Sequence, residues 1–287
     1  MTSFLDDFGS ALAALFPEEE RPELHFSSIG NCGRQQLYRI RGVYPTDPRP
    51  GWSIWAPQMG HMAQVLATLA AQQMGYTLER TLDIELVRNE DGSRSLLAVK
   101  ENPDAKVEWH GVIGSVDGVI SDRELETPCV WDVKMRTAIS YAQMVQAVTS
   151  GPEAFLHDDP ASALQMQGYM AALGLEATII WTAPWDSSVI RLLKGMAERG
   201  QIKGWLGALF PSALEVTWTP LVLPAVEEQQ TLLAKRAEAL TLAKEAGLTV
   251  VREYNPVAHK FPCEYCAYQT LCTAEGDSGD ITLESWK

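Results

Sequence analysis

Asp132 and Lys134 stand two residues apart after the apolar lead-in Pro128-Cys129-Val130-Trp131. In an extended strand side chains repeat with period two, so this acid and amine project from one face while Val133 points behind. Burying one face of such a strand with two charges on the other is costly unless the charges are used together. Upstream, Gly114-Ser115-Val116-Asp117-Gly118-Val119-Ile120 offers a second strand with a single carboxylate. The polar stretch Asp122-Arg123-Glu124-Leu125-Glu126-Thr127-Pro128 is short enough to join the two as a hairpin. That hairpin sets Asp117 beside Asp132. Two carboxylates with a lysine next to them make a site for a hard divalent cation, with a group at hand to orient or deprotonate water.

A second constellation is made of sulfur. The chain has five cysteines: Cys32, Cys129, Cys263, Cys266 and Cys272. Grouped cysteines in a cytosolic chain read as metal ligands sooner than as disulfides. Cys263-Glu264-Tyr265-Cys266 and Cys272 supply three thiolates from one loop, and a fourth has to come from distant Cys32. A structural zinc site usually takes two close pairs. Three together plus one remote also suits an iron–sulfur cubane. On spacing alone a zinc knuckle, with His259 as a further ligand, stands level with the cluster, and Cys32 alone also reads as a small buried residue. Cys129 reads as packing. Four ligands on one centre would close nearly the whole chain into a loop, so losing the centre is expected to loosen the fold globally.

The 287 residues are 46% hydrophobic and 21% charged, ordinary for a globular protein and enough for a large core. No apolar run approaches the roughly 20 residues that span a bilayer. The first fifteen residues mix Asp6 and Asp7 into a short apolar helix without a positive leader. The expected location is cytoplasmic, with no membrane partner. The formal net charge of −14 lacks the basic footprint of a nucleic-acid binder. Local charge matters more than totals in a cleft, and two basic clusters exist: Arg34, Arg39 and Arg41, then Arg191, Lys194, Arg199 and Lys203. Acid collects in Glu18–Glu20 and after Glu275.

The elements that must hold these groups are readable in order. Residues 1–24 read as a short helix and an acidic turn. Ser27 or Ser28 is a fitting N-cap for a helix through Tyr38, and Tyr44–Trp55 reads as a loop. A helix over Ala56–Met74, stopped by Gly75, carries His61 in its first turns. Thr77–Val87 and Ser95–Val99 read as strands around a turn at Asn89–Gly92, and Val107–Ile120 with Pro128–Met135 forms the hairpin. Helices over Ala138–Ala147 and Ala161–Leu173 flank a polar loop at Thr149–Pro160, before a buried strand at Ala177–Ala183. Ser188–Lys194 is open between strand and helix, Gly195–Leu209 reads as helix, and Glu215–Leu223 alternates like a strand. A long helix at Pro224–Ala246 precedes the cysteine segment and an acidic tail expected to be disordered. This order gives an α/β fold with a mixed sheet flanked by helices.

With these residues on the page, the chain resembles the iron–sulfur branch of the PD-(D/E)XK nuclease superfamily, nearest to CRISPR-associated exonucleases and RecB-type nuclease domains. The likeness rests on Cys32-Gly33-Arg34-Gln35, His61, Asp117 in Gly-Ser-Val-Asp-Gly, Asp132-Val133-Lys134, Gln165 with Tyr169, and the Cys263/Cys266/Cys272 tail, in family order over residues 27–272. Asp132 stands where many members have Glu. The resemblance implies a restriction-endonuclease-like core over 25–223, a C-terminal helix and cluster segment over 224–275 that shares the cluster with Cys32, and an acidic tail over 276–287. It implies that His61, Asp117, Asp132 and the Val133 carbonyl hold Mg²⁺ or Mn²⁺. Lys134 would orient or deprotonate water, while Gln165 and Tyr169 contact the DNA strand or Lys134. Cys32, Cys263, Cys266 and Cys272 would bind a structural [4Fe–4S] cluster and staple the terminal region.

The implied activity is a metal-dependent DNA exonuclease on single strands or DNA ends. Helicase or CRISPR-adaptation proteins are its expected partners, in adaptation, recombination, repair or phage DNA metabolism. Two rival readings are a non-catalytic DNA-end or partner-binding module with zinc in place of the cluster, and a redox iron–sulfur protein. The second is disfavoured because neither a second cluster motif nor a dinucleotide loop is present, and no phosphate-binding loop supplies a motor. Taken singly, His61 reads as a core or surface histidine, Asp117 as a turn residue, and Gln165 with Tyr169 as ordinary helix residues. Gln167 lies off their face. Trp181, Trp185 and Trp205 can stack bases in a single-strand channel but read first as core, outside the candidate site.

Overall fold

A computed structural model describes residues 22–47, 55–91, 94–122, 125–214, 218–254, 263 and 266–284. Most of the helix expected in 1–24, most of the Tyr44–Trp55 loop, Arg123 and Glu124 of the hairpin turn, His259 and the last three residues of the tail lie outside these. In chain order, β1 (Leu24–His25) and α1 (Phe26–Ile29) lead into α2 (Gly33–Ile40) and α3 (Trp55–Gln73). Strands β2 (Thr77–Glu79), β3 (Asp83–Arg88), β4 (Arg94–Lys100), β5 (Lys106–Trp109), β6 (Val112–Ser115), β7 (Gly118–Ser121) and β8 (Cys129–Arg136) follow. Then come α4 (Ala138–Ser150), α5 (Pro152–Asp158), α6 (Pro160–Leu173), β9 (Ala177–Pro184), α7 (Ser187–Glu198) and α8 (Gly204–Ala208). The chain closes with β10 (Thr219–Pro224), α9 (Glu227–Ala246) and α10 (Gln269–Glu275).

The central sheet has the order β10-β9-β8-β7-β2. It is mixed, because β8 and β9 are parallel and the other pairs antiparallel. Period two along β8 sorts its side chains. Trp131 and Val133 pack with Ile179 and Trp181 beneath α3, whose Ala63, Ala67 and Ala71 recur every fourth residue. Three methyl-sized groups on one stripe let that helix lie close to the sheet. On the other face Val130, Ile180, Leu221 and Leu223 meet Leu164, Met166 and Met170 of α6 and Leu233, Ala237 and Leu240 of α9. Helices thus cover both faces, as expected. Two smaller sheets, β1-β6-β5 and β3-β4, stand beside it. Among the described residues no helix is long and apolar enough to cross a membrane.

Several local expectations are corrected. The single helix through Tyr38 is two, α1 and α2, with Cys32 between them. Gly30 lies at the break, and the chain passes so close to Pro160 there that a Cβ would come 2.3 Å from its carbonyl oxygen. Ser28 does not cap; its hydroxyl donates to the His25 carbonyl. The strand read over Val107–Ile120 is three strands, since His110 (φ 50°) and Gly111 (φ 72°) form a two-residue hairpin turn in the left-handed region. The polar loop at 149–160 contains α5, started by Pro152 in the first helical turn and anchored by buried Phe155. Ser188–Lys194 is helical, and the helix read over Gly195–Leu209 is interrupted after Glu198. The tail is ordered through residue 284: Ile281 bridges Val250, and Leu283 is buried.

The two ends of the chain are clamped by buried arginines. Arg34 Nε donates to the Val250 carbonyl at 2.8 Å, and its Nη atoms reach the carbonyls of Gly276 and Ser278. Arg236 donates to the carbonyls of Ile29 (2.8 Å) and Asn31 (2.7 Å) and takes Glu253 bidentately at 2.8 Å. Glu253 also accepts from the Gly33 N–H. A Cβ at Gly33 would come 2.0 Å from Leu283 Cδ1, so a larger residue there requires the Leu283 side chain to move.

Candidate active site

The hairpin forms as its sequence predicts, with Gly118 opposite Trp131 and Val119 opposite Val130. At Asp117 strand pairing stops, while β8 continues to Arg136 along β9. A notch opens where β8 loses its neighbour. Asp117 occupies it, and its side chain stands in for the missing strand by accepting the Val133 N–H at 2.7 Å. Two glycines flank this bend for space: a Cβ at Gly118 would press on Trp131 at 3.2 Å, and one at Gly114 on Tyr169 at 3.0 Å.

Asp132 and Lys134 share the face toward α6. Asp132 is 1% exposed. Its Oδ1 accepts from Lys134 Nζ at 2.9 Å, and its Oδ2 is buried without a hydrogen-bond partner. Lys134 Nζ also donates to Gln165 Oε1 at 3.2 Å, Gln165 Nε2 to the Tyr169 hydroxyl at 3.1 Å, and that hydroxyl to the Ser115 carbonyl at 2.7 Å. Gln165 therefore touches Lys134, as one of the two expectations had it. Tyr169 is a core residue one bond further back, in edge contact with Phe26. Burial, with the charges of both aspartates adding, holds its phenol well above its ordinary pKa, so the hydroxyl stays a donor.

The acids strain one another. Burial first, then the charge of Asp132, pushes Asp117 up to about 7 against the opposing pull of Lys134 and the Val133 N–H. One ammonium cannot satisfy two buried carboxylates, and a buried oxygen without a partner is costly. A divalent cation against Asp132 Oδ2 and Asp117 would relieve both, so the donor set fits the ion. Val133 enters through its backbone only, its side chain being buried beneath α3. His61 is exposed on α3. The structure does not bring it into the set, for among the described residues no three His, Cys, Asp or Glu side chains group around a single ion.

Sequence reasoning missed Arg136, although period two was its signal. It continues the 132–134 row and donates to Asp159 at 2.6 Å and Ser162 at 2.7 Å, tying β8 to the start of α6. Gln167, set aside from sequence, is structural: its amide binds the Pro224 carbonyl and the Val226 N–H.

The remaining cysteines meet elsewhere. Cys32, Cys263, Cys266 and Cys272 line one small cavity together with Tyr38 and Arg252. None is in a disulfide. Burial raises the Cys32 thiol to about 11 and those of Cys263 and Cys266 above their usual range, with neighbouring cysteine charges adding to each. The four thiols are of metal-ligating type and share one cavity, but among the described residues they are not drawn together around a single ion. Cys129 packs under α3, as expected.

No protein-family profile and no curated protein matches the chain. Solved structures that match it include SSO0001, at 10% identity over 96% of this chain and 98% of that one, with a TM-score of 0.44. An alkaline exonuclease from Laribacter hongkongensis matches at 11% identity over 83% and 93% of the two chains, with a TM-score of 0.42. A phage-related exonuclease from Haemophilus somnus 129PT matches at 13% identity over 78% and 94%, with a TM-score of 0.41.

Proposed function

We propose that the chain is a divalent-metal-dependent DNA exonuclease acting on single strands or DNA ends, with a structural [4Fe–4S] cluster on Cys32, Cys263, Cys266 and Cys272. The observation that supports it most is the buried, partnerless Oδ2 of Asp132, whose Oδ1 accepts from Lys134 and whose charge bears on Asp117. Mg²⁺ or Mn²⁺ held by Asp117 and Asp132, with the Val133 carbonyl, would supply Lewis acidity and a bound water of lowered pKa. His61 is the resemblance's further ligand and stands outside this set.

The residues around the notch divide the remaining work. Lys134 carries three N–H donors. Asp132 and Gln165 take two of them. The third is free to bind a water or a phosphate oxygen, and Lys134 is the side of the pair that reaches solvent, 20% exposed against 2%. It steadies the charge that develops on phosphate or orients the attacking water. Gln165 fixes where that ammonium sits, and Tyr169 fixes Gln165. Unwinding would fall to a partner helicase, since no motor motif is present.

Incubating the full chain with end-labelled linear DNA and Mn²⁺, against an EDTA control, tests the reading. Progressive shortening only with Mn²⁺ is expected, and intact DNA in both arms sinks it. For the cysteine cavity, anaerobic purification should give iron with charge-transfer absorbance. One zinc per chain and no iron would replace the cluster with the knuckle.

A further inference from the structure

The two basic clusters of the sequence meet different fates. Arg34 and Arg41 are occupied inside the fold, the first on the carbonyls already described and the second on those of Ala243 and Leu248. The other cluster faces outward. Arg191, Arg199 and Lys203 are exposed, and none of them is in an ion pair among the described residues. Lys194 is held back by the Leu214 carbonyl at 2.5 Å. From Ser187 to Leu214 Glu198 is the sole acid, in a chain of net charge −14. The same surface shows large apolar side chains: Trp205 is 68% exposed and Leu192 58%.

Its position matters as much as its charge. In the parallel pair β8/β9, Lys134 lies opposite Thr182 and Arg136 opposite Pro184, and the Trp185 N–H closes that end onto the Arg136 carbonyl at 2.8 Å. α7 begins at Ser187, directly beyond. Its Ile190 packs with Ala138, Tyr141 and Ala142 of α4, the helix that leaves β8. α7 therefore rises from the end of the sheet at which the Asp132–Lys134 row emerges. Carboxyl ends of strands are where α/β sheets take their ligands.

We propose that Arg191, Arg199, Lys203 and Trp205, on the surface of α7 and α8 and the turn between them, bind the unpaired strand of a nucleic-acid end and guide it to the Asp132–Lys134 notch. This rests on the nuclease reading above. Three exposed cations on a strongly acidic protein suit a phosphate backbone. An indole open to solvent suits the face of a base, which a single strand exposes and a duplex keeps stacked. A basic surface with exposed apolar groups also suits anionic lipid, but the placement beside the notch favours nucleic acid.

The test is binding of a fluorescein-labelled oligothymidylate to the full chain in EDTA, read by anisotropy over a salt series. Removing Arg191, Arg199 and Lys203 together (each →Ala) should weaken binding and flatten the slope of log K against log salt by about two, as three lost single-strand phosphate contacts require. Trp205→Ala should weaken it roughly tenfold without changing the slope, and Trp205→Phe should restore it. Thermal melts check that each variant is folded. An unchanged affinity and slope in the triple variant overturns the proposal. So does tighter binding of blunt duplex than of single strand, or loss of phosphatidylglycerol-vesicle binding in the triple variant with oligothymidylate binding intact. EDTA keeps catalysis out of the measurement, so a chain that binds by these residues but never cleaves with Mn²⁺ fails the nuclease reading alone.

Discussion

The notch and the cysteine cavity each gather side chains of metal-ligating type, yet they lack opposite things. In the notch the backbone is complete, with Asp117 even continuing the ladder to Val133, but the charges do not balance and Asp132 Oδ2 has no partner. In the cavity burial raises three of the four thiols, which favours their neutral form without a ligand, and the chain around them is already tied by Arg34 and Arg236. A cation at the notch would answer an electrostatic need, and a centre at the cavity a local one. Beside the expectation that losing the cluster loosens the whole fold stands a clamp of protein groups, which joins residues 29–34 to Arg236 and to residues 250–278.

The sharpest test of the first half is Lys134→Ala. It removes the only ammonium bonded to Asp132 among the described residues while leaving both carboxylates to hold an ion. Turnover on labelled DNA should fall by roughly 10³-fold, about 4 kcal/mol in the barrier, with the fold kept. Near wild-type cleavage removes Lys134 from the chemistry. The second half is broken or upheld by comparing Arg236→Ala with the double variant Cys263→Ser/Cys266→Ser in urea melts. Arg236→Ala strips Glu253 of its cation in a half-buried place, leaving it the Gly33 N–H alone, and should cost about 3 kcal/mol. The cysteine variant should lose iron yet unfold nearer the wild-type midpoint. The reverse ranking would make the cluster, not the arginines, the tie between the ends.

A smaller effect separates proton from metal at the notch. The Asp117 carboxyl, raised by burial and by Asp132 to about 7, binds a proton more readily folded than unfolded. Stability of the metal-free protein should therefore fall as pH rises from about 4 through 7, because only the folded state still holds that proton. Asp117→Asn should flatten this window in thermal melts. Mn²⁺ should raise the wild-type melting temperature by a few degrees at pH 8 and hardly at pH 5, where the proton occupies its place. Identical pH curves for wild type and Asp117→Asn would mean the two acids do not feel each other.

The notch was more legible in sequence than the cavity's surroundings, for a physical reason. Strand period and a short hairpin are local rules, so Asp117, Asp132 and Lys134 come together from a short stretch of chain. Gln165 and Tyr169 were reachable from their four-residue spacing, but which of them touches Lys134 depends on how α6 crosses the sheet. The clamp was not legible. An arginine on a helix reads as solvated, and nothing local says that Arg34 meets carbonyls more than two hundred residues away. The His110-Gly111 turn hid because a non-glycine residue at positive φ is uncommon and His-Gly is not among the usual hairpin-turn pairs. Trp205 was read as core, while Trp181, of the same residue type, is core.

The least disruptive change tests whether the hydrogen-bond chain behind Lys134 positions it or merely fills space. Gln165→Leu keeps the volume and helix propensity of residue 165 but removes the acceptor of one Lys134 proton and the donor to Tyr169. The ammonium then keeps Asp132 as its anchor and gains freedom to swing, so kcat should fall roughly tenfold, the size of one lost neutral hydrogen bond to a charged group, with KM for DNA little changed. Gln165→Glu should behave differently, because a third acid beside Asp117 and Asp132 tightens Mn²⁺ binding while drawing Lys134 away from Asp132. A loss confined to KM in Gln165→Leu would instead put Gln165 on the DNA strand, the other contact its place on α6 permits, and would leave Lys134 held by Asp132 alone.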